Sequence, residues 1–428
     1  MTTFTAKPCP GGLRGRITVP GDKSVSHRAL LLAARSEGRS RLSGLSAGED
    51  VRCTLRAVRQ FGAGISGRPD GSVLVEGGPD RLTEPESMID VGNSGTAIRL
   101  LAGWATGVDG LTVLAGDESI ARRPMGRVTE PLRLMGARID GRDQGRLPPL
   151  VVRGGGLHGI DYRLPVPSAQ VKGAILLAGL SADGETTVRE EVSSRVHTEE
   201  MLVQCGAEIS VTPGAVTVRR SRLHPFDMEV PGDPSQAAFW IVAACITPGS
   251  EIIVDHIYVG PGRAGFLDVL ARMGAELETL EKDAASSTAT IRARYSPLAA
   301  TEVGGTEIPA LIDEIPVLAV AAAHATGTTS FTDAAELKVK ESDRIATMVT
   351  ALRQVGVEAE ERGDGLVVHG TDGRPLPGGK VDSAGDHRVA MAMAVAAMGA
   401  AAPVAVSGWE AVATSYPGFE QEYGRCGS

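Results

Sequence analysis

Lysine is scarce in this chain: seven residues among 43 Lys and Arg. Lys23 follows Val19-Pro20-Gly21-Asp22 and precedes Ser24, with Arg28 one helical turn on and Ala-Leu-Leu-Leu-Ala-Ala after it. The apolar run predicts a buried helix. Lys23, Ser24 and Arg28 would then stand at its N-terminus, where unpaired N–H groups and the macrodipole favour an anion. Related arrangements recur. Arg122-Arg123-Pro124-Met125 comes before a second helix, and Ser168-Ala169-Gln170-Val171-Lys172 opens a third with Ser168 as its cap. Lys338-Val339-Lys340-Glu341-Ser342-Asp343-Arg344 predicts a helix capped by Ser342, with Lys340 and Arg344 about its first turn. Asp386-His387-Arg388 precedes the apolar run Val389–Met398, and Asp313-Glu314 precedes Ile-Pro-Val-Leu-Ala-Val. Each alone is an ordinary solvated cap. Together they place cations at helix starts, against the macrodipole, which a bound anion would explain. Six of them, Lys23, Arg28, Arg123, Lys340, Arg344 and Arg388, suit small polyanionic ligands and an anionic transition state. Glu341 and Asp313 beside them are candidates for proton transfer.

The elements that must carry these residues follow from a repeat. An amphipathic stretch, a Gly, usually an Ala and a strand-like run recur at Gly62, Gly136, Gly206, Gly274 and Gly356, with a degenerate sixth copy at Gly424. A helix ended by a left-handed Gly and followed by a return strand gives this pattern. Ile345, Met348, Val349, Leu352 and Val355 have the helical spacing. Six copies of about 70 residues predict repeated α/β units. A second echo, Val19-Pro20-Gly21-Asp22 against Val230-Pro231-Gly232-Asp233, divides them three and three. The expected organisation is one discontinuous lobe of residues 1–20 and 231–428 and a second lobe of 21–230. Lys23, Arg28 and Arg123 fall in one, Lys340, Arg344 and Arg388 in the other, and the cleft between lobes is the expected site.

Composition excludes several classes. Asp and Glu number 52, giving a net charge of −9, and aromatics are 4% of residues, so nucleic-acid binding through phosphates or stacking is not expected. Five scattered cysteines without a CxxC pair suggest neither a disulfide framework nor a zinc site, and a reducing cytoplasmic compartment fits. The longest apolar stretch, near Val389–Ala402, is too short to span a membrane, and no signal peptide is read. Gly154-Gly155-Gly156-Leu157-His158-Gly159 matches a dinucleotide fingerprint, but Ile160–Pro165 alternates like a strand where a helix must open, so it reads as a loop. Gly21-Asp22-Lys23-Ser24 lacks the glycines of a P-loop, and the eight histidines form no metal motif.

The same segments carry a family resemblance. Gly-Asp-Lys23-Ser24-Val-Ser-His-Arg28, Gly-Asn93-Ser-Gly95-Thr96, Arg123-Pro-Met-Gly-Arg, Pro-Ser168-Ala-Gln170, Asp313-Glu-Ile-Pro, Val-Lys340-Glu341-Ser-Asp-Arg344 and Asp-His387-Arg388 resemble, in order, the motifs of 5-enolpyruvylshikimate-3-phosphate synthases. The resemblance implies an inside-out α/β barrel in two lobes, three βαβαββ units in each. It also implies transfer of the enolpyruvyl group of phosphoenolpyruvate to the 5-hydroxyl of shikimate 3-phosphate, with no metal or organic cofactor. Carried over, shikimate 3-phosphate is held by Lys23, Ser24, Arg28, Ser168, Gln170, Arg195, Asp313 and Lys340. Phosphoenolpyruvate is held by Lys23, Gly95, Arg123, Gln170, Arg344 and Arg388. Lys23, Asp313 and Glu341 are the catalytic candidates, and Gly95 would also face glyphosate, a longer inhibitor of the same site. Partners beyond these two small molecules are not expected, whether nucleic acid, membrane or a second subunit.

Two departures stand out. Many members carry Lys just before the motif that reads Ala413-Thr414-Ser415-Tyr416-Pro417 here, and many have Pro where Leu100 stands. The sister transferase acting on UDP-N-acetylglucosamine typically has a Cys or Asp on the loop matching Gly116–Pro124 and Lys-Asn in place of Lys23-Ser24. The RNA 3′-phosphate cyclases share the fold but bind nucleic acid, and a non-catalytic anion binder would have no need of Asp313 and Glu341.

Overall fold

Five helices end in the same way. In the computed structural model, which describes residues 1–426, Gly62, Gly136, Gly206, Gly274 and Gly356 have φ of 101°, 94°, 72°, 88° and 84°. At each, the residue after the Gly donates its N–H five residues back and the Gly donates three back: Ala63 to Val58 O at 3.1 Å and Gly62 to Arg59 O at 3.0 Å. This double bond set satisfies helix carbonyls that would otherwise be orphaned, and a Cβ there is penalised. Gly424 differs. It lies inside the helix Phe419–Cys426 at no positive φ. The strand expected after it is replaced by Thr3–Ala6, which pairs antiparallel with Val404–Ser407.

Twelve helices of eight or more residues occur among the described residues. They are α1 Lys23–Arg35, α2 Glu49–Gln60, α3 Gly95–Ala105, α4 Gly126–Leu134, α5 Ala169–Gly179 and α6 His197–Gln204. Then follow α7 Pro234–Ile246, α8 Gly265–Arg272, α9 Ile315–His324, α10 Arg344–Gln354, α11 His387–Met398 and α12 Phe419–Cys426. The odd-numbered helices are rich in Ala and Leu on all faces and are buried almost throughout, as α7, α9 and α11 show from end to end. The even-numbered ones bury one stripe; in α10 it is Ile345, Met348, Val349, Ala351 and Leu352.

The chain separates into two compact units, Met1–Pro20 with the residues from Pro231 onward, and Gly21–Val230. Each holds three sheets. Five sheets have four strands and share one order, as when Ile89–Asp90 runs parallel to Gly110–Ala115, which is antiparallel to Leu147–Gly154, itself antiparallel to Arg138–Gly141. Strand, helix, strand, helix and two strands thus make one unit of the repeat. The sixth sheet has three strands. Both crossings between units close a sheet: Asp227–Glu229 pairs with Gly38–Ser43 in one, Arg14–Ile17 with Glu251–Tyr258 in the other. In each unit the odd-numbered helices form the centre and the sheets lie outside them, so apolar side chains gather about three inner helices.

The glycine run behaves as a loop. The strand Leu147–Gly154 ends there, Gly155 and Gly156 have φ of 94° and 69°, and the next element is the strand Asp161–Arg163. No helix among the described residues is long and apolar enough to cross a membrane.

Candidate active site

In the unit Gly21–Val230 the candidates gather at the N-terminal ends of the inner helices α1, α3 and α5. Asp22 caps α1, accepting from Val25 N at 2.9 Å, and so presents Lys23, Ser24 and Arg28 in the first turns. Lys23 Nζ pairs with Asp50 at 2.9 Å. Arg28 is buried; it donates to Thr198 Oγ1 at 2.7 Å, to Ser24 O at 3.0 Å and to Ala169 O at 3.2 Å, which ties α1 to the start of α5. Burial pulls its guanidinium down to about 10, against Glu199 and Asp22, while neighbouring Arg195 adds to the fall. A cation this poor in solvent gains most from a bound anion. His27 is buried between, and burial with Lys23 and Arg28 nearby holds it neutral, well below the usual imidazole range.

Ser168 caps α5, accepting from Val171 N at 3.4 Å. Gln170 donates to Thr96 Oγ1 at 3.0 Å and accepts from Arg99 Nη1 at 2.8 Å, linking α5 to α3. Gly95 opens α3 under the cap Ser94, and a Cβ there would overlap Nη1 of Arg123. Arg123 is buried just before α4 and donates to Asn93 Oδ1 at 3.0 Å. The structure therefore brings Ser24, Arg28, Ser168, Gln170, Gly95 and Arg123 into one connected set, with Lys23 beside it on α1 and Arg195 near Arg28.

The other unit gathers its own set at the starts of α9, α10 and α11. Asp313 lies 3.4 Å from Lys340 Nζ and 3.2 Å from Arg344 Nη1, and its backbone oxygen accepts from Arg388 Nη1 at 3.0 Å. Glu341 accepts from Arg344 Nη2, and Asp386 Oδ2 accepts from Arg344 Nε at 2.8 Å. Arg344 is almost fully buried. Burial is the largest single influence on it and favours the neutral form, but Asp386, Glu341 and Asp313 together outweigh it and hold the cation above its ordinary range. Asp386 also caps α11, accepting from Arg388 N at 2.9 Å. One expected cap is corrected: Asp343, not Ser342, caps α10, and the helix starts at Arg344. Ser342 instead donates to Asp386 at 3.2 Å. Asp343 reaches two N–H groups of the first turn, which a shorter hydroxyl one residue earlier does not.

Several contributors were not legible as site residues. Asp50, Arg99, Thr198 and Asp386 each bond a candidate directly, and Lys172 joins two buried carboxylates, at 2.7 Å from Glu190 and 2.6 Å from Glu199. Asp386 and Lys172 stood in quoted motifs; Asp50 and Thr198 are single residues with nothing beside them to read.

A family model described as EPSP synthase (3-phosphoshikimate 1-carboxyvinyltransferase) matches residues 9–423. The chain belongs to the EPSP synthase family. A 3-phosphoshikimate 1-carboxyvinyltransferase of Alkaliphilus metalliredigens is 47% identical over 412 residues, 96% of each chain. One of Pelotomaculum thermopropionicum is 49% identical over 95% of each. The EPSP synthase structure from Acinetobacter baumannii superposes with a TM-score of 0.87 at 39% identity, covering 99% of this chain and 98% of that one. Within this EPSP synthase family member the two departures take ordinary structural places. Leu100 is fully buried on α3 against Gly173 of α5. Thr414 ends a 3-10 turn, donating to Ala411 O at 2.7 Å.

Proposed function

We propose that the chain transfers the enolpyruvyl group of phosphoenolpyruvate to the 5-hydroxyl of shikimate 3-phosphate, releasing phosphate. The observation that carries the reading is membership of the EPSP synthase family over residues 9–423. Two cation sets at helix N-termini are what two polyanionic substrates require.

In this reading Lys23, Ser24, Arg28, Ser168, Gln170 and Arg195, with Asp313 and Lys340, hold shikimate 3-phosphate. Lys23, Gly95, Arg123, Gln170, Arg344 and Arg388 hold phosphoenolpyruvate. The residues assigned in this reading come from both units. Buried guanidinium groups neutralise phosphate and carboxylate without waiting for solvent to reorganise. Asp313 takes the proton of the 5-hydroxyl as its oxygen bonds to C2 of phosphoenolpyruvate. Glu341, with Lys23, delivers a proton to C3, giving a tetrahedral adduct. Loss of a proton from that methyl group and of phosphate from C2 restores the double bond in the product.

All five cysteines are free and buried, which suits a compartment that keeps thiols reduced, and we assign the enzyme to the cytoplasm as a monomer. The test is phosphate release by the purified protein, with shikimate 3-phosphate and UDP-N-acetylglucosamine compared as acceptors. Release with shikimate 3-phosphate alone is expected; release only with the nucleotide sugar overturns the assignment.

A further inference from the structure

The C-terminal ends of α1, α3 and α5 meet a cavity of about 690 Å³, lined by residues of one unit only. Arg35, the last residue of α1, lies at its inner wall and is 5% exposed. Among the described residues no carboxylate forms an ion pair with this buried guanidinium. Nη2 contacts the Ser181 hydroxyl, and Nε and Nη1 are buried without a partner. Burial alone depresses this cation, to about 10. A buried charge left this way costs free energy unless something pairs with it. The other cations at the cavity are already engaged: Arg220 pairs with Asp183 at 2.7 Å and Arg222 with Glu37 at 2.8 Å.

Apart from these two paired arginines, the wall has the opposite polarity. Thr106 and Gly107 follow α3, and Leu180 and Ser181 follow α5, so the negative ends of three helix dipoles face the cavity. Asp109 and Glu208, both exposed, add two carboxylates at the rim. An anion alone would be drawn to Arg35 but repelled by this wall; a cation alone would meet Arg35. A molecule with both charges close together satisfies the two. The glycine loop after Leu147–Gly154 supplies Gly155 and Gly156 to the lining, and a Cβ on Gly156 would meet nothing within 4 Å, so the loop leaves room rather than filling it.

We propose that this cavity binds a small zwitterion of the α-amino-acid class. Its carboxylate replaces the Ser181 hydroxyl as partner of the Arg35 guanidinium, and its ammonium group lies against the carbonyl ends of the inner helices, Asp109 and Glu208. The site is separate from the reaction assigned above, because Lys23 and Arg35 occupy opposite ends of a 13-residue helix, about 20 Å long.

The experiment is isothermal titration of the intact protein with each of the common L-amino acids, with acetate, ethylammonium and inorganic phosphate as controls. At least one amino acid is expected to bind with Kd below about 1 mM while the controls do not. Arg35→Gln should abolish that binding, and Lys23→Met should leave it unchanged. If Arg35→Gln fails to fold, the double variant Asp109→Asn, Glu208→Gln decides, since both residues are exposed; about tenfold weaker binding is expected. The proposal is overturned if no amino acid binds. It is equally overturned if acetate or phosphate binds as tightly, or if the folded variants at Arg35 or at Asp109 and Glu208 bind as the parent does.

Discussion

Lys23 makes the clearest demand at the scale of single residues. It stands on the first turn of α1, paired with Asp50 at 2.9 Å, and the role proposed for it as acid and anion stabiliser predicts that Lys23→Met folds normally but turns over at least about 10²-fold more slowly. Steady-state phosphate release with a circular-dichroism control checks this; near-normal turnover in a folded variant sinks it. Gly95 gives a second prediction, because a Cβ there would overlap Nη1 of Arg123, the far end of a flexible side chain. Gly95→Ala should therefore displace Arg123 and raise the KM for phosphoenolpyruvate, at an overpacking cost of roughly 1–3 kcal/mol. The inhibition constant for glyphosate, the longer molecule, should rise by a larger factor, and equal factors would show that residue 95 does not discriminate by length. Gly95 and Arg195 came only from the family resemblance, whereas the six cations were legible because positive charge at helix starts defies the macrodipole. Their partners were not: Thr198 bonds Arg28 from 170 positions away, and no local pattern encodes that distance.

Elements show where local rules decide and where burial overrules them. Five glycines could be read as helix ends because the left-handed turn excludes a side chain on steric grounds alone, whereas Gly424 follows the same spelling inside a helix, where the Gly is merely tolerated. His324 is the opposite case. It is the last residue of α9, and a helix C-terminus favours an imidazolium by about 0.3–1 kcal/mol. Burial is stronger: the ring is 6% exposed, its Nε2 has no partner, and its pKa falls from 6.5 to about 4. The unfolded chain takes up this proton below pH 6.5 and the native one only near pH 4. Stability is thus complete above pH 6.5 and lost as pH falls through the window to 4, by about 3 kcal/mol from this group. Urea unfolding of the parent and of His324→Gln from pH 7.5 to 4 should show a steeper loss in the parent; parallel curves would remove His324 as the cause.

For the whole molecule, the two Val-Pro-Gly-Asp echoes mark the ends of a unit because a stiff turn there precedes a capping Asp, Asp22 on α1 and Asp233 on α7. What the sequence pattern did not disclose is which strands close each unit. Asp227–Glu229 completes the first sheet of Gly21–Val230 from that unit's own far end, and the apolar core of the unit draws only on residues from Val25 to Val230. The other unit is closed instead by its own N-terminal segment, more than 200 positions away from the rest of it. Thr3–Ala6 and Arg14–Ile17 supply a strand to two of its sheets, and Leu13, Ile17 and Val19 are all buried in its core. A fragment of residues 21–230 should therefore fold alone, with one cooperative urea transition. A fragment of residues 231–428 should not, for three reasons of magnitude. Each buried Leu, Ile or Val contributes about 1.5–3 kcal/mol, so losing three removes roughly 5–9 kcal/mol. Two sheet edges lose their ladder partners as well. A domain has only about 5–15 kcal/mol of stability to lose. Adding residues 1–20 as a separate peptide should restore the cooperative transition in the second fragment. Cooperative unfolding of 231–428 without that peptide, or its absence in 21–230, would show that the units are not closed by these strands.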